Sequence, residues 1–113
     1  ELNEDPNQAA IREVKEEVGL DVKLDDSLKP PRRKKDYTLD LIPPYFLNRH
    51  KVERNHEHII FVYFAKASSY KISQSQIEQS EECRWFTKEE IEKNKKILPN
   101  VKFYALKALE RLA

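Results

Sequence analysis

Residues Asp5 to Gly19, DPNQAAIREVKEEVG, specify a helix at both ends. Asp5 suits the N-cap, Pro6 suits the first helical position, where no N–H is needed, and Gln8 sits at the capping-box position. Ala10, Ile11, Val14 and Val18 recur at helical spacing and form one apolar stripe. Gly19 follows directly, where a left-handed residue closes a helix. The pattern predicts a helix over Pro6–Val18 whose apolar stripe must be covered by other elements.

The polar side of this helix breaks the usual rules. Glu13, Glu16 and Glu17 are related as i, i+3 and i+4, so they share one face, with Glu17 nearest the apolar stripe. Each like-charge pair costs about 0.2–0.5 kcal/mol. Acids in the last turn also oppose the helix dipole, by roughly 0.3–1 kcal/mol each. Arg12 offsets part of this through Glu16 at i+4. A divalent cation would resolve the conflict, because Mg²⁺ and Mn²⁺ favour carboxylate oxygens and water. A solvated face of Glu, Lys and Arg is the other reading, and spacing alone does not choose between them.

The rest of the chain predicts strands followed by helices. Leu20 to Leu28 alternates apolar and charged residues, as a half-buried strand does. Lys29 to Lys35, KPPRRKK, is broken by two prolines and a basic run and reads as a loop. Tyr37 to Ile42 is expected as a second strand, ended by Pro43-Pro44, with another extended piece over Tyr45 to Val52. The most apolar run, His58 to Ala67, is expected as a central strand covered on both faces. Ser68 to Ser80 reads as loop and Cys83 to Phe86 as a short strand. Thr87 opens a short helix with a capping box, and Pro99 to Ala113 is a final amphipathic helix. This order implies an α/β (α+β) domain, a mixed or antiparallel sheet sandwiched between helices.

Composition narrows the function classes. The 113 residues suffice for one domain with one modest core. With 21 basic and 20 acidic residues, the net charge of +1 gives no general attraction to nucleic acid or membrane, so charge arguments are local. No apolar run approaches the length of a membrane span. Cys83 is the only cysteine, which excludes an internal disulfide and points to a reducing, cytoplasmic compartment. The only glycine is Gly19 and the first residue is Glu1, so the chain is expected to begin inside a domain, as its larger C-terminal part.

Glu4 to Leu20 resembles the Nudix box. That pattern is Gly, five residues, Glu, seven residues, then Arg-Glu-apolar-x-Glu-Glu-x-Gly-apolar. Glu4 matches the first Glu; after Asp5 to Ile11, Arg12, Glu13, Val14, Glu16, Glu17, Gly19 and Leu20 fall in register. The opening Gly would precede Glu1. The resemblance extends to HIIFVYFAKA, similar to the family's central strand, and to EECRWFTKEEI after it. It implies hydrolysis, with Mg²⁺ or Mn²⁺, of a nucleoside diphosphate linked to another group. It also implies Glu16 and Glu17 as the main metal ligands, Glu13 as a third ligand or the base, Arg12 as the residue that orients them, and Glu4 in support. The strands that precede the box in the family are expected to be missing here.

Residues outside the box are open to more than one reading. A further catalytic acid is expected, with Glu82 first and Glu78 and Glu57 as alternatives to it; an ordinary surface Glu is the bland reading of each. Arg32 and Arg33, with Lys34 and Lys35, suit substrate phosphates, although such runs are more often solvated loops. Tyr37 lies seventeen residues past Leu20, an offset that in the family points weakly to diadenosine polyphosphate hydrolases. Tyr37, Tyr45 or Phe46 could stack a base, or simply pack beside the prolines. His50, His56 and His58 make a poor zinc site with no cysteine near them, and Cys83 reads as a buried small residue.

The expected partner is a small nucleotide substrate; among nucleic acids only a capped RNA end is retained. The oligomeric state is open, with a homodimer as the expected form if copies associate. A non-catalytic nucleotide- or partner-binding module is the alternative to the enzyme, and a scaffold built on the C-terminal helices is a third reading.

Overall fold

The computed structural model describes residues 3–73 and 83–113. Its elements are α1 (Pro6–Val18), β1 (Val22–Leu24), β2 (Phe46–Glu53), β3 (His56–Val62), β4 (Ala65–Ala67), α2 (Lys88–Lys93) and α3 (Pro99–Leu112). Among the described residues, no helix is long and apolar enough to cross a membrane.

α1 has the predicted bounds because both ends are satisfied. The Gln8 N–H donates to Asp5 Oδ1 at 2.8 Å, and the Asp5 N–H donates to Gln8 Oε1 at 3.0 Å. At the other end Gly19 takes φ 72° and donates its N–H to Lys15 O at 3.0 Å. Asp5→Ala removes one of these caps and is expected to lower stability by about 1 kcal/mol, read as a lower denaturant midpoint at unchanged slope. α2 starts on the predicted second capping box, between Thr87 and Glu90.

The strands pair in two antiparallel ladders, β1 with β4 and β2 with β3. β1 and β4 set Val22 opposite Ala67 and Leu24 opposite Ala65. The longer ladder sets Phe46 opposite Val62 and His50 opposite His58, with an irregularity between Lys51 and Glu53. The connection between β2 and β3 is Arg54-Asn55, and Asn55 takes φ 66°, a conformation that Asn tolerates better than most residues.

Leu20, Leu24, Phe64 and Ile91 are the buried hydrophobic residues among those described. Tyr45 stacks on Phe64 with ring centroids 4.3 Å apart. Phe46 continues the cluster to Phe103 at 5.5 Å and Tyr104 at 5.3 Å. The Asn48 amide donates to the Tyr104 hydroxyl at 2.8 Å, so one face of β2 is seated on α3. Alternation sends Leu47, Ile59 and Phe61 to the opposite face, where they are 62%, 62% and 44% exposed.

Four strand expectations need correction. The strand expected over Leu20–Leu28 is only Val22–Leu24. Beyond it the Asp25 side chain accepts from the Ser27 hydroxyl at 3.1 Å, and the Lys29 N–H donates to Asp26 O at 2.9 Å, which makes a turn. Tyr37–Ile42 forms no strand. Two of its N–H groups find side-chain acceptors instead: Thr38 donates to Asp36 Oδ1 at 2.8 Å and Ile42 to Asn7 Oδ1 at 2.7 Å. The run His58–Ala67 is two strands, not one central strand covered on both faces. The chain changes partner from β2 to β1 across Tyr63-Phe64. Cys83–Phe86 forms no strand either. Its groups serve local contacts, with Trp85 Nε1 donating to Tyr70 O at 2.6 Å and the Arg84 guanidinium lying 3.9 Å over the Phe86 ring.

Candidate functional site

Arg12 organises the acidic face of α1. Its Nε and Nη2 donate to the two carboxylate oxygens of Glu4 at 2.8 and 3.0 Å, a two-point grip that sets the guanidinium plane. Its Nη1 donates to Glu16 Oε2 at 3.0 Å, and Nη2 lies 3.8 Å from Glu13 Oε1. The Arg12 guanidinium thus touches three of the acids named from the sequence. Glu4 is the most covered, with its side chain 14% exposed, while the Glu13 and Glu16 side chains are each 59% exposed. Glu17 is exposed and makes no ion pair among the described residues.

The hydrogen bond from Arg12 holds the Glu4 carboxyl below its usual value. A carboxyl whose pKa is lowered on folding stabilises the fold while it is ionised. That contribution is present above the ordinary value near 4.5 and fades as pH falls through the lower, folded value. Glu4→Gln is therefore expected to cost stability at neutral pH, with the gap from wild type closing below about pH 4.5. Thermal melts of both proteins across that range test this; a gap independent of pH would contradict it.

The donors suit a hard divalent cation, since Glu13, Glu16 and Glu17 offer only carboxylate oxygens on one solvent-facing surface. Among the described residues no three Asp, Glu, His or Cys side chains converge on a common metal position. Gathering these three requires rotation about side-chain bonds, which exposed glutamates allow. Glu13 also lines a cleft of about 460 Å³ between α1 and β3, shared with Ala9, Ala10, Ile60, Phe61 and Tyr63. The acidic face thus adjoins an apolar wall.

The other expected site residues divide. Glu82 and Glu78 lie outside the described residues. Glu57 pairs with Arg49 at 3.1 Å across the β2–β3 ladder. Arg33 is occupied, with Nε against Asp36 at 2.5 Å and Nη2 against Asp40 at 2.9 Å. Arg32 and Tyr37 line a separate cleft of about 470 Å³, and Tyr37 is fully exposed. Tyr45 stacks on Phe64, and Phe46 packs against Phe64 and Phe103; both residues are half-buried. Tyr45 also donates its hydroxyl to Asp25. His58 Nε2 lies 3.1 Å from His56 Nε2, and His56 Nδ1 lies 3.4 Å from Glu53.

One residue had no signal in the sequence. Asn7, in the first turn of α1, donates to Ile42 O at 2.9 Å and accepts from Ile42 N at 2.7 Å. Nothing in the local pattern distinguishes it from a solvated helix residue.

The family model described as NUDIX domain matches residues 1–107. Among solved structures, the chain is similar to a hydrolase of the NUDIX family from Clostridium perfringens. The two share 34% sequence identity and a TM-score of 0.80, and the match covers 100% of this chain and 77% of that one. No curated protein matches.

Proposed function

From the premise that this chain belongs to the NUDIX family and is a Nudix hydrolase, we propose that it cleaves a pyrophosphate bond in a nucleoside diphosphate linked to another group, using Mg²⁺ or Mn²⁺ held by the acidic face of α1. The observation that carries this reading is the Arg12 hub. One guanidinium grips Glu4 and reaches Glu16 and Glu13, which orders a carboxylate surface that would otherwise repel itself.

A pyrophosphate bridge is highly anionic and resists nucleophiles. When bound, the cation supplies charge neutralisation at the phosphates and lowers the pKa of the attacking water. The chain's own residues do the rest. Glu16 and Glu17 are the proposed holders of the cation, with Glu13 either a third or the base that takes the proton from water. Arg12 fixes the Glu16 carboxylate, and Glu4 fixes Arg12. Glu82 is the proposed additional acid, and Arg32 and Tyr37 face the substrate. A reducing, cytoplasmic location is part of the same reading, resting on the single cysteine.

Incubation with Mg²⁺ and a panel of ADP-ribose, diadenosine polyphosphates, oxidised nucleoside triphosphates and capped RNA tests it. The expected result is turnover of at least one member to two phosphate-bearing products, or to pyrophosphate and a nucleotide, abolished when divalent ions are chelated. Turnover indifferent to chelation would contradict the metal's role. Nucleotide binding without turnover would favour the binding-module reading.

A further inference from the structure

The β2–β3 hairpin carries a group of imidazoles that the proposed hydrolysis does not use. His56 and His58 are two apart on β3, so their side chains leave the same face of the strand. His50 lies directly opposite His58 on β2 and shares that face. In the sequence the absence of a nearby cysteine counted against zinc. The structure brings two ring nitrogens together instead, and imidazole is itself a good ligand for Zn²⁺, Cu²⁺ and Ni²⁺.

The spacing of the two rings is that of a chelating pair. His56 Nε2 and His58 Nε2 are 3.1 Å apart. With bonds of about 2.05 Å from each nitrogen to a cation, this separation corresponds to an N–metal–N angle of about 98°, between the square-planar and tetrahedral values. A ring centroid lies about 1.15 Å behind its nitrogen, so the same arrangement sets the two centroids about 4.8 Å apart. The observed separation is 4.8 Å. Rings meeting head-on through one N–H bond would stand about 5.4 Å apart. Both observed distances fit a single cation position.

Glu53 orients one of the two rings. His56 Nδ1 lies 3.4 Å from Glu53 Oε1, and Glu53 pairs with no lysine or arginine among the described residues. A proton held on Nδ1 by this carboxylate leaves His56 Nε2 with its lone pair, the arrangement usual for a ligating histidine. With a cation bound, His58 carries its own proton on Nδ1, so that both Nε2 lone pairs are available. His56, His58 and Glu53 are all exposed, and a cation reaches them directly from solvent. His58 also lines the cleft of about 460 Å³ that Glu13 lines.

We propose that His56 and His58 form a second metal site, for a borderline cation such as Zn²⁺, with water in the remaining positions. Among the described residues no third Asp, Glu, His or Cys side chain converges there, so two protein ligands define it. Its nitrogen donors set it apart in class from the carboxylate face of α1, which suits Mg²⁺ or Mn²⁺. Glu53 is a positioning residue that acts through His56. The assignment does not rest on the hydrolase reading above.

Calorimetric titration with Zn²⁺ in excess Mg²⁺, which occupies the acidic face, tests it. Wild type is expected to bind one Zn²⁺. Losing a ligand costs at least as much as losing the partner on its other ring nitrogen, so His56→Ala and His58→Ala are each expected to weaken binding about 10-fold or more. Glu53→Ala is expected to weaken it about 10-fold, and Glu53→Gln, which keeps an acceptor oxygen, to recover part of that loss. Melting temperatures without metal should match wild type in all four variants, which separates lost ligands from lost structure. The Glu13→Gln/Glu16→Gln/Glu17→Gln variant is expected to bind Zn²⁺ as wild type does. Zn²⁺ binding that is lost in this variant but kept without His56 or His58 would place the ion on the acidic face and overturn the proposal. Absence of Zn²⁺ binding by wild type would overturn it as well.

Discussion

Glu16→Gln and Glu17→Gln are each expected to lower kcat by at least about 100-fold while leaving the fold intact. The magnitude follows from what the change removes. A neutral amide cannot supply the charge that holds a divalent cation, and proton transfer and charge stabilisation each contribute about 10²-fold or more to reactions of this kind. Folding should survive because the wild-type face is self-repelling. Removing one of three neighbouring acids relieves repulsion of about 0.2–0.5 kcal/mol per pair. Reduced kcat with an unchanged or slightly raised melting temperature is the expected signature for Glu17→Gln; for Glu16→Gln the lost pair with Arg12 offsets the relief, and reduced kcat with a melting temperature changed by no more than a few degrees is expected. A parallel loss of activity and stability would assign these residues to structure instead. Arg12→Gln should be the opposite case, losing both, since it frees Glu4, Glu13 and Glu16 from their common partner.

Gly19→Ala is expected to lower stability markedly. Gly19 sits at φ 72°, where a side chain is strained by about 1–3 kcal/mol. A Cβ there would also lie 2.8 Å from Ser73 O and 2.9 Å from Ser73 Cβ. Those atoms cannot retreat easily, because the Ser73 N–H donates to Val18 O at 2.7 Å and holds that segment against the end of α1. The substitution strains the helix end and pushes away the backbone packed on it. A fall in melting temperature of roughly 5–12 °C is expected. A change within experimental error would show that residues 18–20 and Ser73 are not held together as described.

The elements legible in the sequence are those whose determinants are local. α1 was readable to the residue because Asp5, Gln8 and Gly19 act within one helix turn of its ends. Thr87 and Glu90 made α2 readable in the same way. The strands were less legible because a strand needs a partner that pattern does not reveal. Tyr37–Ile42 has strand-like residues, yet Asp36 and Asn7 supply its hydrogen-bond acceptors and leave no ladder to join. The apolar run His58–Ala67 was continuous in composition but is divided between two partners in space.

The site shows the same division. Arg12 with Glu16 was readable as an i,i+4 pair. The family resemblance put Glu4 in support of the site, but the grip of Arg12 on it, eight residues away, had no trace in the sequence, because the pairing spans the turn that begins the helix. Arg33 was read as a phosphate ligand from the basic run, and its pairing with Asp36 and Asp40 had no trace there, because such a run does not disclose which of its members is paired. The Asn7–Ile42 clamp joins residues 35 apart and had no local trace.

The central claim is that the acidic face of α1 holds the divalent cation on which hydrolysis depends. Titration with Mn²⁺, followed by the loss of its free-ion electron paramagnetic resonance signal, tests it most directly. The comparison is between wild type, the Glu13→Gln/Glu16→Gln/Glu17→Gln variant, and Glu92→Gln as a control on α2. Wild type and Glu92→Gln are predicted to bind Mn²⁺ equally, and the triple variant to bind none over the same range. Undiminished Mn²⁺ binding by the triple variant would contradict the claim and move the metal site elsewhere in the chain.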